Sequence, residues 1–210
     1  MGAASAAPFS FMSSQKPSRR AVLASAAVVP VAALTSPAQT TSTPEGALSA
    51  TQLKTLEAFV DRLIPADELG PGAAAAGAHL YIHIQLAGYL AGEKAAFTAG
   101  LDGMDAYARR VHGAAFADLT GQQKDAILTA MEGNTLEGVA NSRNFFTRAR
   151  RLTLEGTFGD PHYGGNRNGV GWDIIRYPGP RPAVGAEMQQ LGVAPEPYRR
   201  SAWGVDEHGH

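Results

Sequence analysis

Leu53, Leu56, Phe59, Val60 and Leu63 recur at three- and four-residue spacing, which predicts a helix with one apolar face. Ser49 and Gln52 stand just ahead of this run in the arrangement of a capping box, and Pro65 stops it. A turn from Pro65 to Gly72 leads into a second helical stretch from Ala73 to about Leu90, whose small residues Ala73 to Gly77 permit close helix approach. Phe97, Leu101, Met104, Ala108 and Val111 form another stripe, and Thr120 with Gln123 makes a second capping box before Ile127, Leu128 and Met131. Phe145, Phe146, Ala149, Leu152 and Thr153 predict a last long helix, broken between Gly156 and Pro161. No segment alternates with period two, and no internal repeat is present. The expected fold is all-α: a small bundle of about five helices with a long Gly/Pro/aromatic C-terminal loop and tail.

The chain divides into residues 1–38, 39–47, 48–182 and 183–210. In the first of these, Arg19-Arg20 precede an apolar run from Ala21 to Ala33, a charged region followed by a hydrophobic one as in a signal peptide. The run is shorter than the roughly 20 residues a membrane-spanning helix needs, and Pro30 interrupts it. Paired arginines flanked by Ser18 and by Val22-Leu23 match the twin-arginine export pattern, with small residues up to Ala38 for cleavage. Export to the periplasm is the expectation. Residues 39–47 read as a linker, 48–182 as the helical domain and 183–210 as a tail. Only Met188, Leu191, Tyr198 and Trp203 are available to dock that tail, which is expected on a surface or mobile.

Composition narrows the chemistry. The 210 residues are 44% hydrophobic and 18% charged, enough for one ordinary core. The net charge of −1 conceals an asymmetry, because Lys16, Arg19 and Arg20 precede the first acid, Glu45. Beyond residue 38 there remain 15 basic and 19 acidic side chains, a balance of −4 that gives no footing for nucleic acid. There is no cysteine, which excludes disulfides, thiolate metal sites, iron–sulfur ligation and covalent haem attachment in this chain.

Three constellations carry candidate chemistry. Asp160, Pro161, His162, Tyr163, Gly164, Gly165 and Asn166, followed by Gly171-Trp172 and Tyr177-Pro178-Gly179, interleave aromatics with glycines. Glycines free the backbone for turns and close approach, and aromatics supply contact area, so the segment reads as a partner interface. The alternative is an internally packed loop capping the helices. His79 and His83 lie one helical turn apart and would face one metal ion, or form a hydrogen-bonded polar stripe; no HExxH glutamate accompanies them. Asp67 and Glu68 are a candidate acid/base pair, or a carboxylate pair stabilising the positive end of the next helix. No GxSxG, GxGxxG or phosphate-loop spacing is present.

Two stretches resemble a known family. Leu63-Ile64-Pro65-Ala66-Asp67-Glu68-Leu69-Gly70-Pro71-Gly72-Ala73 looks like the N-terminal motif of gluconate 2-dehydrogenase subunit 3, and the Asp160–Asn166, Gly171-Trp172 and Tyr177–Gly179 segments look like its C-terminal motif. The resemblance implies a three-part enzyme. A flavoprotein large subunit of the glucose–methanol–choline type would hold FAD, and a multihaem cytochrome c subunit with haem c would pass electrons to quinone. The small subunit would accompany the flavoprotein through the twin-arginine translocase and remain bound at the periplasmic face of the membrane. It implies no catalytic, cofactor-binding or metal residue in this chain. An independent periplasmic enzyme using Asp67, Glu68 or the histidines is the competing expectation. Residues after Pro180 lie outside the motif.

Overall fold

Ser49 and Gln52 exchange hydrogen bonds at the head of the first helix in the computed structural model, which describes residues 46–181 and 183–204. The Ser49 hydroxyl accepts from the Gln52 amide at 3.3 Å, and the Gln52 side chain accepts from the Ser49 amide at 3.1 Å. Two donors that a helix start leaves without intrahelical partners are thus satisfied. Helix α1 (Ala50–Leu63) ends where Pro65 forces Ile64 out of helical geometry. Its inward face, Leu56, Phe59 and Val60, is fully buried.

The element order continues with α2 (Gly72–Ala75), α3 (Ala78–Ala87), α4 (Lys94–His112), α5 (Gly121–Glu132), α6 (Ser142–Phe158) and α7 (Val170–Ile174). Five long helices thus match the expected bundle, and two short ones add to it. Among the described residues there is no strand, and no helix is long and apolar enough to cross a membrane. The second capping box, Thr120 with Gln123, forms at the head of α5 as the sequence predicts.

The expected single helix from Ala73 to Leu90 is two helices. Gly77 adopts φ +74°, a left-handed conformation that ends α2 and starts α3. The Ala76 carbonyl released there accepts the amide of Arg167 at 3.0 Å, so a distant loop holds the break open. The stripe on α4 is buried at Phe97, Leu101, Met104 and Ala108, but Val111, expected to complete it, is exposed. Periodicity fixes the direction in which Val111 points; it does not supply a neighbour beyond the last turn.

α1 packs against α3, α4, α5 and α6, and α3 lies along α6. Phe59 meets Phe145 and Phe146 edge-on, with 6.1 Å between ring centres in each case, and Phe145 meets Phe97 at 5.2 Å. Such edge-to-face pairs suit the ring quadrupoles. Helix approach depends on two glycines within helices. A Cβ on Gly156 would stand 3.0 Å from the Ala78 Cα, and one on Gly100 would stand 2.1 Å from the Phe145 ring. The outcome is a bundle whose last long helix, α6, is central to the core and ends on the aromatic–glycine loop.

Candidate partner-binding loop

An α-helix leaves its last carbonyls without intrahelical donors. At the end of α6 the following loop supplies them. The Asn166 amide donates to the Gly156 carbonyl at 2.7 Å, the Asn166 side chain donates to the Gly159 carbonyl at 2.8 Å, and the Trp172 indole donates to the Phe158 carbonyl at 3.0 Å. The remaining oxygen of the Asn166 side chain accepts the Gly171 amide at 2.8 Å. Asn166 is fully buried and adopts φ +44°, a region asparagine tolerates better than most residues. Gly165 and Gly171 lie against the backbone of α6: their Cβ atoms would stand 2.2 Å from the Gly156 carbonyl oxygen and 1.7 Å from that of Thr157.

The two readings of this segment therefore divide by residue. Trp172, expected to anchor a partner, is only 5% exposed, and its ring meets Tyr177 edge-on at 5.3 Å. Together with Asn166, Gly165 and Gly171 it belongs to the internal cap. Tyr163 and Tyr177 keep about half of their surface exposed, at 48% and 43%, and Gly164 (φ +92°) turns the chain after Tyr163. Pro161 begins the single helical turn Pro161–Tyr163, which Asp160 caps through the His162 amide at 2.9 Å. Burial pushes the Asp160 carboxyl up, but the amides of Ala202 and His162, the Ser201 hydroxyl and the His162 ring outweigh it and hold it below the usual carboxylate range.

The tail returns to this loop. Ala202 donates its amide to Asp160 at 2.8 Å, Arg199 grips both oxygens of Asp173 at 2.9 and 2.7 Å and reaches the Asn168 carbonyl, and Tyr198 donates its amide to the Pro178 carbonyl at 2.6 Å. Trp203 lies over His162 with ring centres 5.7 Å apart. The apolar residues expected to dock the tail contribute little: Leu191 is fully exposed and Trp203 is 65% exposed. Backbone groups and two arginines, Arg199 and Arg181 (which reaches the Glu196 carbonyl), do the docking, and no hydrophobic periodicity signals them.

The other candidates do not converge. Asp67 accepts the Leu69 amide at 2.8 Å within a tight turn closed by mutual backbone bonds between Asp67 and Gly70. Its carboxylate serves that turn, not the head of α2, where no side chain caps the helix. Glu68 is exposed. His83 is buried and accepts the Leu48 amide at Nδ1 (3.1 Å), and Gly46 lies against its ring. His79 is also buried, and its Nδ1 meets no hydrogen-bond partner among the described residues. Burial lowers its pKa, Glu57 opposes this, and Arg167 and His83 add to the lowering. No three His, Asp or Glu side chains among the described residues gather as a metal-ligand set. Arg19 and Arg20 lie outside the described residues.

A groove of about 670 Å³ that sequence reasoning did not anticipate runs between α4 and the head of α6. Ala96, Ala99, Gly100 and Gly103 line it on one side and Val139 and Phe145 on the other, with the Arg148–Glu93 ion pair (2.6 Å) at its edge. The recurrence of small residues on α4 is the signal that marks it.

The fold and loop define a class: an all-α bundle domain whose most distinctive segment is a helix cap with an aromatic outer face. The chain belongs to the gluconate 2-dehydrogenase subunit 3 family, whose model matches residues 50–179. That span begins with α1 and ends on Gly179, after the capped loop. No curated protein and no solved structure matches the chain.

Proposed function

We propose that this chain is the exported, non-catalytic small subunit of a periplasmic flavoprotein dehydrogenase that oxidises gluconate or a related sugar acid or polyol. The observation that carries the reading is the family match over residues 50–179. The partner is a large subunit of the glucose–methanol–choline type holding FAD, and a multihaem cytochrome c subunit takes the electrons onward. The role of this chain is to escort the folded flavoprotein through the twin-arginine translocase and to stay bound to it. Two features support a binding role over a catalytic one. The polar side chains of Asp67, His83 and Asp160 are committed to backbone groups of this chain, and exposed rings stand on the outer face of a rigid, capped loop.

The test is purification of the chain from its native host, with mass-spectrometric identification of the chains that accompany it. A stoichiometric flavoprotein supports the reading, and dehydrogenase activity from this chain alone overturns it. Replacing Arg19 and Arg20 with Lys should strand both this chain and the flavoprotein in the cytoplasm. Periplasmic appearance of both in that variant would sink the escort role.

A further inference from the structure

The tail after Gly179 is ordered without a core of its own. From residue 183 to 204 the only buried residue is Ser201. What holds the segment is polar: Arg199 on Asp173 and on the Asn168 carbonyl, the Ala202 amide on Asp160, the Tyr198 amide on the Pro178 carbonyl and Arg181 on the Glu196 carbonyl. The Arg199–Asp173 pair is about half exposed on both sides, a setting in which an ion pair stabilises little. Ordered segments with few buried apolar contacts open at low cost.

The loop underneath does not depend on this cover. Asn166, Trp172, Gly165 and Gly171 complete the end of α6 through contacts inside residues 156–172, and the family pattern closes at Gly179 without the tail. The tail nonetheless lies on the outer side of that loop, touching Asp160, His162, Asn168 and Asp173. At its root, Gly179 adopts φ +91°, and a Cβ there would stand 1.9 Å from the Tyr198 carbonyl oxygen. This close crossing folds the tail back over the loop.

We propose that residues 183–204 are a displaceable strap, closed over the outer face of the Asp160–Asp173 loop in the free subunit and released when the large subunit takes that face. The inference rests on the reading of this chain as a dehydrogenase small subunit. In the free chain the strap occupies hydrogen-bonding groups of Asp160, Asn168 and Asp173 and sets Trp203 beside the His162 ring, which stays exposed. In the complex those groups turn to the partner, and the strap swings out about Gly179. The weakness of its individual contacts is what makes the exchange feasible.

The test uses the full-length chain and its Arg199→Ala variant, which removes the ties to Asp173 and to the Asn168 carbonyl and leaves the α6 cap intact. Hydrogen exchange in the isolated subunits reads the strap, and retention of the flavoprotein that co-purifies with the wild-type chain reads the competition. The expected result is about fivefold faster exchange at Tyr198 and Ala202, an unchanged midpoint of unfolding, and retention of the flavoprotein up to about fivefold tighter. Unchanged exchange at both amides would show that Arg199 does not hold a separable strap. Equal or weaker retention by the variant would make the tail a bystander or a part of the interface, and either overturns the displacement. If no flavoprotein accompanies the wild-type chain, the subunit reading falls, displacement falls with it, and the exchange measurement alone decides whether the strap opens.

Discussion

Asn166 and Trp172 together close the carboxyl end of α6, Asn166 donating to the carbonyls of Gly156 and Gly159 and Trp172 to that of Phe158. An Asn166→Asp substitution keeps the shape and the acceptor for Gly171 but removes the side-chain donor. It leaves the Gly159 carbonyl unpaired and sets a negative charge at the negative end of the helix. The expected loss is about 2–3 kcal/mol in urea unfolding, with the m-value unchanged.

Trp172 separates internal packing from partner contact. Trp172→Ala should lower stability by about 3–5 kcal/mol, the range for a buried aromatic. Trp172→Phe keeps a ring against Tyr177 but loses the bond to Phe158 and part of the buried indole volume, a smaller cost of about 2 kcal/mol. Thermal unfolding of the isolated chain measures both. A Trp172→Ala variant that melts with the wild type would reject the internal role.

Gly171 and Gly113 test two different reasons for glycine. Gly171→Ala places a methyl 1.7 Å from the Thr157 carbonyl oxygen, against backbone that has no room to move, and should cost about 3 kcal/mol or prevent folding. Gly113 ends α4 at φ +74° with nothing within 4 Å of its added Cβ. Gly113→Ala should cost only about 1 kcal/mol, from the left-handed backbone alone. Equal effects at the two sites would reject this distinction.

Asp160 makes the tail contact sensitive to acid. Burial raises its pKa, the Ala202 and His162 amides, the Ser201 hydroxyl and the His162 ring lower it, and the net direction is down. A carboxyl depressed by folding contributes its full stabilisation above its unfolded value of about 3.9, and loses it as pH falls through the lower folded value. The Ala202 amide resonance should therefore hold its shift through the ordinary carboxylate range and move only at lower pH. In Asp160→Asn that titration should be absent.

Legibility followed the range of the determining contact. The capping boxes at Ser49 and Thr120 span three residues, so local sequence specifies them, and both form as read. The apolar stripes of α1 and α6 were equally plain. The break at Gly77 was not, because a run of alanines favours helix and the acceptor freed there is taken by Arg167, far along the chain. At Trp172 the composition was ambiguous in principle: an aromatic among glycines serves an interface or a cap, and only the Phe158 carbonyl decides. Arg199 and Asp173 gave no pattern, since ion pairs between tail and loop follow no period. The acid pair Asp67-Glu68 was visible, but that Asp67 turns back to the Leu69 amide depends on turn geometry.

The donors that finish α6 come from close downstream, 7 residues for the Asn166 side chain and 14 for the Trp172 indole. Closing such short loops sacrifices little chain entropy, but the corner also rests on the amino-terminal helices, with the Arg167 amide on the Ala76 carbonyl and Gly156 against Ala78. It also opens as a unit, because the end of α6 cannot stay capped once Asn166 leaves. A chain emerging from the ribosome acquires this corner only after most of the bundle has been made. Completion of the cap therefore marks the moment at which the domain is whole, a useful property in a protein whose proposed export route accepts only folded cargo.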